Sequence, residues 1–346
     1  MDERPGTTIA ARGCPGGRHD RRGCQGSGGA QRLGSMEHRA LTLGDRTEWA
    51  RLLAVSFDRT QDQMEHLLDW FHEGYELVTW GAWDGDRLVA QYNARLLTLD
   101  VPAMGEPALA GMGLNMAVDP AYRGRGLLET VATPVHRQIA ERGCIAGVGF
   151  SSAGGLDVTR ASRSYAYEVL GPMTSTVALV APRRSASLEV SDTWPEGHVR
   201  VGAWDGRMVR YHVDTALLRH RFGRHPFRRY RFAYRRDGDG LASLFVFRQV
   251  RLRGLPAASL LAAYGDDLPR DVPSFGAALG ARGIRSVHAV TSPASPFRHL
   301  LGRVGPTFRV PFSRHPYHLI ARALRDDAPS VLFDLSAWDC TGGDIL

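Results

Sequence analysis

Arg123-Gly124-Arg125-Gly126 sets two glycines and two arginines side by side, between an apolar run ending at Val118 and another opening at Leu127-Leu128. Glycine lets backbone N–H groups close on an anion. Arginine adds a permanent charge and a planar fork that grips phosphate. A helix starting just after such a loop contributes the partial positive charge of its N-terminus. By residue type this is a pyrophosphate cradle. It is not a Walker loop, because no Gly-Lys-Ser/Thr follows. It is not a dinucleotide fingerprint, because Gly124 and Gly126 lack the third glycine. A basic, glycine-capped turn is the bland alternative.

A cradle needs a strand before it and a helix after it. Gly111–Val118 reads as the strand and Leu127–Arg142 as the helix, despite Pro134. Upstream, His38–Leu43 reads as a short strand, Thr47–Phe57 and Met64–Phe71 as amphipathic helices, and Leu77–Trp83 and Leu88–Leu99 as a hairpin around Asp84-Gly85-Asp86. Downstream, Cys144–Ser151 is a strand and Ser162–Leu170 a short helix. After a Pro-punctuated linker at 181–197 the same order recurs. Val199–Ala203 reads as a strand, Asp214–Phe222 as a helix, and Arg229–Arg236 with Leu241–Leu252 as a hairpin. Ser259–Tyr264, Ile284–Thr291 and Tyr317–Ala323 read as strands, with helices at Val272–Arg282 and Pro296–Leu301. This divides the chain into a flexible leader (1–35), a first α/β module (36–180), the linker (181–197) and a second module (198–346). The leader is rich in Gly and Arg and has no apolar h-region, so it is not read as a secretory signal.

The strand–cradle–helix resembles the acyl-CoA loop of the GNAT superfamily of N-acyltransferases, Arg/Gln-x-x-Gly-x-Gly/Ala. Arg123 and Gly126 fall on that motif, and Leu128 stands where the family carries a small residue. A second family mark, Tyr-x-x-x-Gly, is met at Tyr167–Gly171. The resemblance covers 36–180; over 198–325 it rests on the repeated pattern and on Phe297–Gly302. It implies an α/β fold of tandem GNAT-like mixed modules, the second lacking the CoA loop. It implies acyl-CoA as co-substrate, bound by Met116, Val118, Arg123, Gly124, Arg125, Gly126, Leu127 and Leu128. It implies transfer of the acyl group to an amine without a metal, with Tyr167 protonating the leaving thiolate. Tyr165 competes for that role, and a packing tyrosine is the alternative reading of Tyr167. Two shorter stretches, Arg221–Tyr230 and Trp338–Asp344, resemble natural-product tailoring enzymes that N-acylate the aminosugar of glycopeptide antibiotics. They imply an amine-bearing small molecule or glycopeptide as acceptor.

Amide formation from a thioester also wants a base active near neutral pH, and imidazole suits that range. Of 13 histidines His225 is favoured, because Pro226 ends the preceding helix and makes a rigid corner. A solvated histidine in a basic patch is its alternative. Asp157 is a carboxylate rival, and His136 lies inside the helix after the cradle.

The formal net charge is +7, and with no lysine in the chain every fixed side-chain cation is an arginine. That balance suits anionic partners. Tyr230, Phe232 and Tyr234 alternate with arginines in Arg219–Arg236, a pattern open to nucleic-acid binding. A half-buried strand shows the same period of two, so no nucleic-acid partner is expected. No run approaches the ~18 apolar residues of a membrane span, and a cytoplasmic enzyme is expected. Cys14, Cys24, Cys144 and Cys340 fit neither a disulfide framework nor a zinc spacing. The acceptor is expected in a cleft between the modules, with a 36–180 fragment still able to bind CoA.

Overall fold

The computed structural model describes residues 36–102, 104–161, 165–181, 187–202, 205–310 and 317–345. The expected leader, Cys14, Cys24 and residues 182–186 of the expected linker lie outside them.

The first half opens with β1 (Glu37–Arg39), α1 (Arg46–Phe57) and α2 (Gln61–Gly74). Helix α2 starts on a capping box: Thr60 Oγ1 accepts from the Gln63 amide at 3.2 Å, and Gln63 Oε1 accepts from the Thr60 amide at 3.2 Å. The chain continues through β2 (Leu77–Asp84), β3 (Arg87–Asp100), β4 (Ala108–Val118), α3 (Leu127–Glu141), β5 (Ala146–Ser151), α4 (Ala153–Ala161), β6 (Glu168–Pro172) and β7 (Thr174–Leu179). The second half holds β8 (Glu189–Ser191), β9 (His198–Val199), β10 (Arg210–Tyr211), α5 (Thr215–Leu218), β11 (Arg231–Asp237), β12 (Gly240–Leu252), β13 (Leu255–Gly265), α6 (Leu268–Gly280), β14 (Ser286–Thr291), α7 (Pro296–Leu301), β15 (Thr307–Arg309) and β16 (His318–Ala323).

These strands make two mixed sheets of 8 strands each, as tandem GNAT-like modules require. The first runs β1-β2-β3-β4-β5-β16-β6 with β10 added to β3; the second runs β15-β7-β14-β13-β12-β11-β8 with β9 added to β12. Each sheet therefore borrows strands across the chain. β16 sits between β5 and β6 of the first sheet, and β7 pairs with β14 and β15 of the second. The C-terminal tail ties the two together: the Asp339 amide donates to Val209 at 2.8 Å and the Gly343 amide to Leu261 at 2.8 Å. Trp338 and Cys340 on that tail are fully buried in the first core.

Several elements differ from the sequence reading. The helix expected at Ser162–Leu170 is α4 at Ala153–Ala161, and Glu168–Pro172 is strand β6. A β-rich segment with apolar residues on both faces carries helical spacing by chance until a neighbour such as β16 pairs with it. The first strand shrinks to Glu37–Arg39 and the strand at Val199–Ala203 to His198–Val199. The helix at Asp214–Phe222 is α5 followed by a π-turn at Arg219–Gly223. The expected linker contains β8, paired with β11. Cys144 and Cys340 are free and buried.

Candidate active site

Asp119 organises the cradle. Its carboxylate accepts from the Ala121 amide at 3.1 Å and from Arg87 at 2.8 Å, with Arg51 3.6 Å away. Burial works against its charge, but the Arg87 and Ala121 hydrogen bonds hold its pKa below the usual carboxylate value. The Tyr122 hydroxyl donates to Asp84 at 2.6 Å, and the Arg125 guanidinium lies 4.8 Å over the Tyr122 ring. The chain then turns through Gly124 (φ +78°) and Gly126 (φ +76°), both left-handed, which favours glycine. Gly126 is the N-cap of α3, and no side chain caps that helix. Arg123 and Arg125 stand exposed just before that end, and neither forms an ion pair with a carboxylate among the described residues. An uncapped N-terminus of a 15-residue helix, flanked by arginines without carboxylate partners among the described residues, has the features that favour an anion. Leu127 is buried in the core beneath it and Leu128 packs against that core.

The strands behind the cradle part. β4 pairs with β5 only over Ala110–Met112 opposite Ala146–Val148. Beyond that β4 stays with β3 as far as Val118, and β5 stays with β16 as far as Ser151. The facing edges of Gly113–Val118 and Gly149–Ser151 thus keep backbone groups that no strand ladder uses, and Met116 and Val118 lie on this stretch. β4 also carries a bulge: Asn115 has φ +44°, and its carbonyl accepts from the Gln91 side-chain amide. Gln91 Oε1, Asn93 Oδ1 and Asn115 Nδ2 are buried there without partners. A gap edged by unpaired amides, opening beside an anion cradle, can hold an extended chain and donate to a developing oxyanion.

Tyr167 lies on the other face of the sheet. Its hydroxyl is 3.4 Å from that of Tyr92, and its ring packs against Tyr165 and His136 with centroids 4.6 and 5.6 Å apart. Gly113 and Gly147 have no Cβ where the Tyr92 and Tyr167 hydroxyls sit. Burial raises the Tyr167 pKa, so it keeps its proton, but at 7 % exposure it packs α3 onto the sheet. His136 is buried against the same cluster, takes a hydrogen bond from Arg322 at 2.9 Å, and is pushed down to a pKa of about 3 by burial and that cation.

His225 sits where the halves meet, its ring 4.8 Å from Trp70 of α2. Trp70 also stacks on His220 at 5.0 Å, donates to the His220 carbonyl at 3.2 Å, and its own carbonyl lies 3.0 Å from His220 Nε2. Gly74 makes room for that imidazole, since a Cβ there would overlap it. The surroundings of His225 speak against the role of base expected for it. His225 Nδ1 accepts from the Phe227 and Arg228 amides, both at 3.1 Å. Its lone pair is occupied and Nε2 carries the proton. Burial, followed by Arg228, Arg221, Arg248 and His220, lowers its pKa to about 3. Since the ring is already neutral from about pH 4 upward, His225→Ala should leave the neutral limb of the kcat/KM–pH profile in place; its disappearance would restore His225 as the base. Asp157, the carboxylate rival, is exposed on α4 just past the open end of β5.

Sequence reasoning missed a second polar set. Gln91, Asn93 and Arg95 alternate along β3 as a solvated face would, yet they are 0, 2 and 3 % exposed. The helix α6 that mirrors α3 offers no cradle: Asp267 caps it, accepting from the Arg270 amide at 3.3 Å, and Asp266 and Asp271 add negative charge. The aromatic stripe Tyr230, Phe232 and Tyr234 is buried, and its arginines pair with Asp192, Asp271 and Glu189, which is the half-buried strand.

Residues 37–157 match the acetyltransferase (GNAT) domain family. No curated protein sequence matches the chain. Solved structures of similar fold include a probable N-acyltransferase from Enterococcus faecalis, with a TM-score of 0.61 and 11 % identity over 84 % of this chain and 73 % of that one. A GCN5-related N-acetyltransferase from Anabaena variabilis gives 0.60 at 13 % identity over 84 and 73 %. One from Kribbella flavida gives 0.55 at 15 % over 83 and 71 %. At such identities the likeness is one of fold.

Proposed function

We propose, taking the GNAT acetyltransferase domain at residues 37–157 as premise, that this chain is an N-acyltransferase moving an acyl group from acyl-CoA to an amine. The observation that carries the reading is the uncapped, glycine-opened start of α3 beside the gap between β4 and β5. Arg123, Gly124, Arg125 and Gly126 with the first amides of α3 would hold the pyrophosphate, Leu127 and Leu128 seat the helix, and the edge through Met116 and Val118 would receive the pantetheine arm. The amine attacks the thioester carbonyl; the C–N bond forms, the oxyanion is held by backbone amides of that edge, and the C–S bond breaks with its electron pair leaving on sulfur. The amine gives up one proton and the thiolate takes one, both exchanged at the open mouth of the gap, where Asp157 is the carboxylate to test as base. Tyr167 and His225 act in this reading by holding α3 and the half-to-half corner.

The acceptor we propose is an amine on a sugar of a natural product such as a glycopeptide antibiotic. The two stretches that carry this reading meet at one pocket, where Arg221, Phe222, His225, Arg228 and Tyr230 face Gly342 and Gly343. A cytoplasmic setting fits acyl-CoA supply; no helix among the described residues is long and apolar enough to cross a membrane. The test is a panel of acyl-CoAs against free and peptide-linked aminosugars, read as release of CoA thiol in single turnover. Transfer to an aminosugar is expected, and exclusive acetylation of protein lysines or N-termini would overturn the assignment.

A further inference from the structure

The pocket between Arg221 and the C-terminal tail has an excess of unpaired cations. It is a cavity of about 40 Å³, against the ~10–15 Å³ that one water requires, so it has room for a small oxyanion. Arg221, Arg228 and Arg248 line it. Arg221 is 8 % exposed, and its Nη2 is buried without a partner. Behind it Arg95 is 3 % exposed with Nε unpartnered, its guanidinium 4.9 Å over the Tyr75 ring. Neighbouring Arg219 and Arg231 pair with Glu196 and Asp192, whereas none of these four has an ion pair among the described residues. Asp344, whose charge acts on both Arg221 and Arg95, forms no ion pair with either and is turned toward Thr341, whose amide and hydroxyl donate to it at 2.7 and 3.1 Å. The Tyr75 and Tyr211 hydroxyls are also buried without partners. Burial, followed by the Arg221 charge, lowers the Arg95 pKa to about 10, against the opposing pull of Tyr75, Tyr211 and Asp344. Buried guanidiniums without a partner are costly, and a bound anion would supply the missing acceptor.

The site is also placed to meet an acceptor. Arg95 stands opposite Met112 in the β3–β4 ladder, the last β4 residue paired before the gap opens. His225, in the pocket wall, touches Trp70 of the first half.

We propose that this pocket binds an oxyanion, carboxylate or phosphate, carried by the acceptor, so that the preferred acceptor is an amine with an acidic group. That the anion belongs to an acceptor rests on the acyl-transfer reading; the anion site itself does not.

Two measurements on the full chain separate these. In the first, inorganic phosphate and acetate are titrated calorimetrically into protein saturated with CoA, which occupies the cradle. One site is expected, weakened about ten- to a hundredfold by Arg248→Gln and Arg221→Gln, the loss of one charged hydrogen-bond partner. In the second, glucosamine, muramic acid and glucosamine 6-phosphate compete as acceptors with acetyl-CoA. The acidic sugars should lead in kcat/KM by tenfold or more, with the stronger of the two naming carboxylate or phosphate, and Arg248→Gln should erase the lead. No anion binding, binding indifferent to Arg248→Gln, or equal use of all three sugars overturns the proposal. Anion binding without turnover of any amine sinks the acyl-transfer reading and leaves the pocket standing.

Discussion

Arg123→Glu and Gly126→Val should each weaken acyl-CoA binding about a hundredfold, or ~3 kcal/mol, while leaving the fold intact. Arg123 is exposed and makes only a long contact, 3.4 Å, to the Val118 carbonyl, so reversing its charge removes nothing from the core and sets a carboxylate against phosphate. At Gly126 a Cβ meets no atom within 4 Å, but φ is +76°. A β-branched residue there costs ~1–3 kcal/mol to hold and turns the first α3 amides away from the anion. Calorimetry with acetyl-CoA gives the affinity, and a thermal melt controls for folding. Affinity equal to that of the unaltered protein in both variants would remove the cradle from the mechanism.

A fragment of residues 36–180, expected from the sequence to bind CoA by itself, should not fold cooperatively. It lacks β16, which pairs six residues with β5 and four with β6 and lies between them in the sheet. It also carries β7 without its partners β14 and β15. Leu319, Ile320 and Ala321 of β16 are 0, 4 and 0 % exposed. Burying a leucine and an isoleucine contributes ~1.5–3 kcal/mol each, and the lost ladder adds to that, against the ~5–15 kcal/mol that holds a domain together. An open β5 edge beside exposed apolar residues also invites aggregation. Circular dichroism should show a broad, non-cooperative melt, and joining residues 317–346 to the fragment should sharpen it. A cooperative melt with native acyl-CoA affinity from 36–180 alone would show that the borrowed strand is dispensable.

The elements that could be read directly were those whose signal is local. The hairpin at Asp84-Gly85-Asp86, the strand into Val118 and the helix from Leu127 follow from turn residues and from apolar spacing within a dozen positions. Ser162–Leu170 reads as a helix because the spacing of a few apolar residues does not separate a short helix from a half-buried strand, and β6 takes its state by pairing with β16, some 150 residues away.

The amino-acid sequence by itself determined the cradle. Gly124 and Gly126 allow the left-handed turns, Arg123 and Arg125 supply charge, and Leu127 begins an apolar helix face, all within a few residues. It also determined the doubled strand–helix pattern. Only the tertiary structure decided the rest. It buried Gln91, Asn93 and Arg95, because period two says which residues share a face and not what covers that face. It seated Tyr167 among Tyr92, Tyr165 and His136, and it neutralised His225, because burial and the Arg221, Arg228 and Arg248 charges come from distant segments. It exchanged β7 and β16 between the sheets, because strand pairing across long separations is settled by which edges can be covered in three dimensions and leaves no mark in local composition.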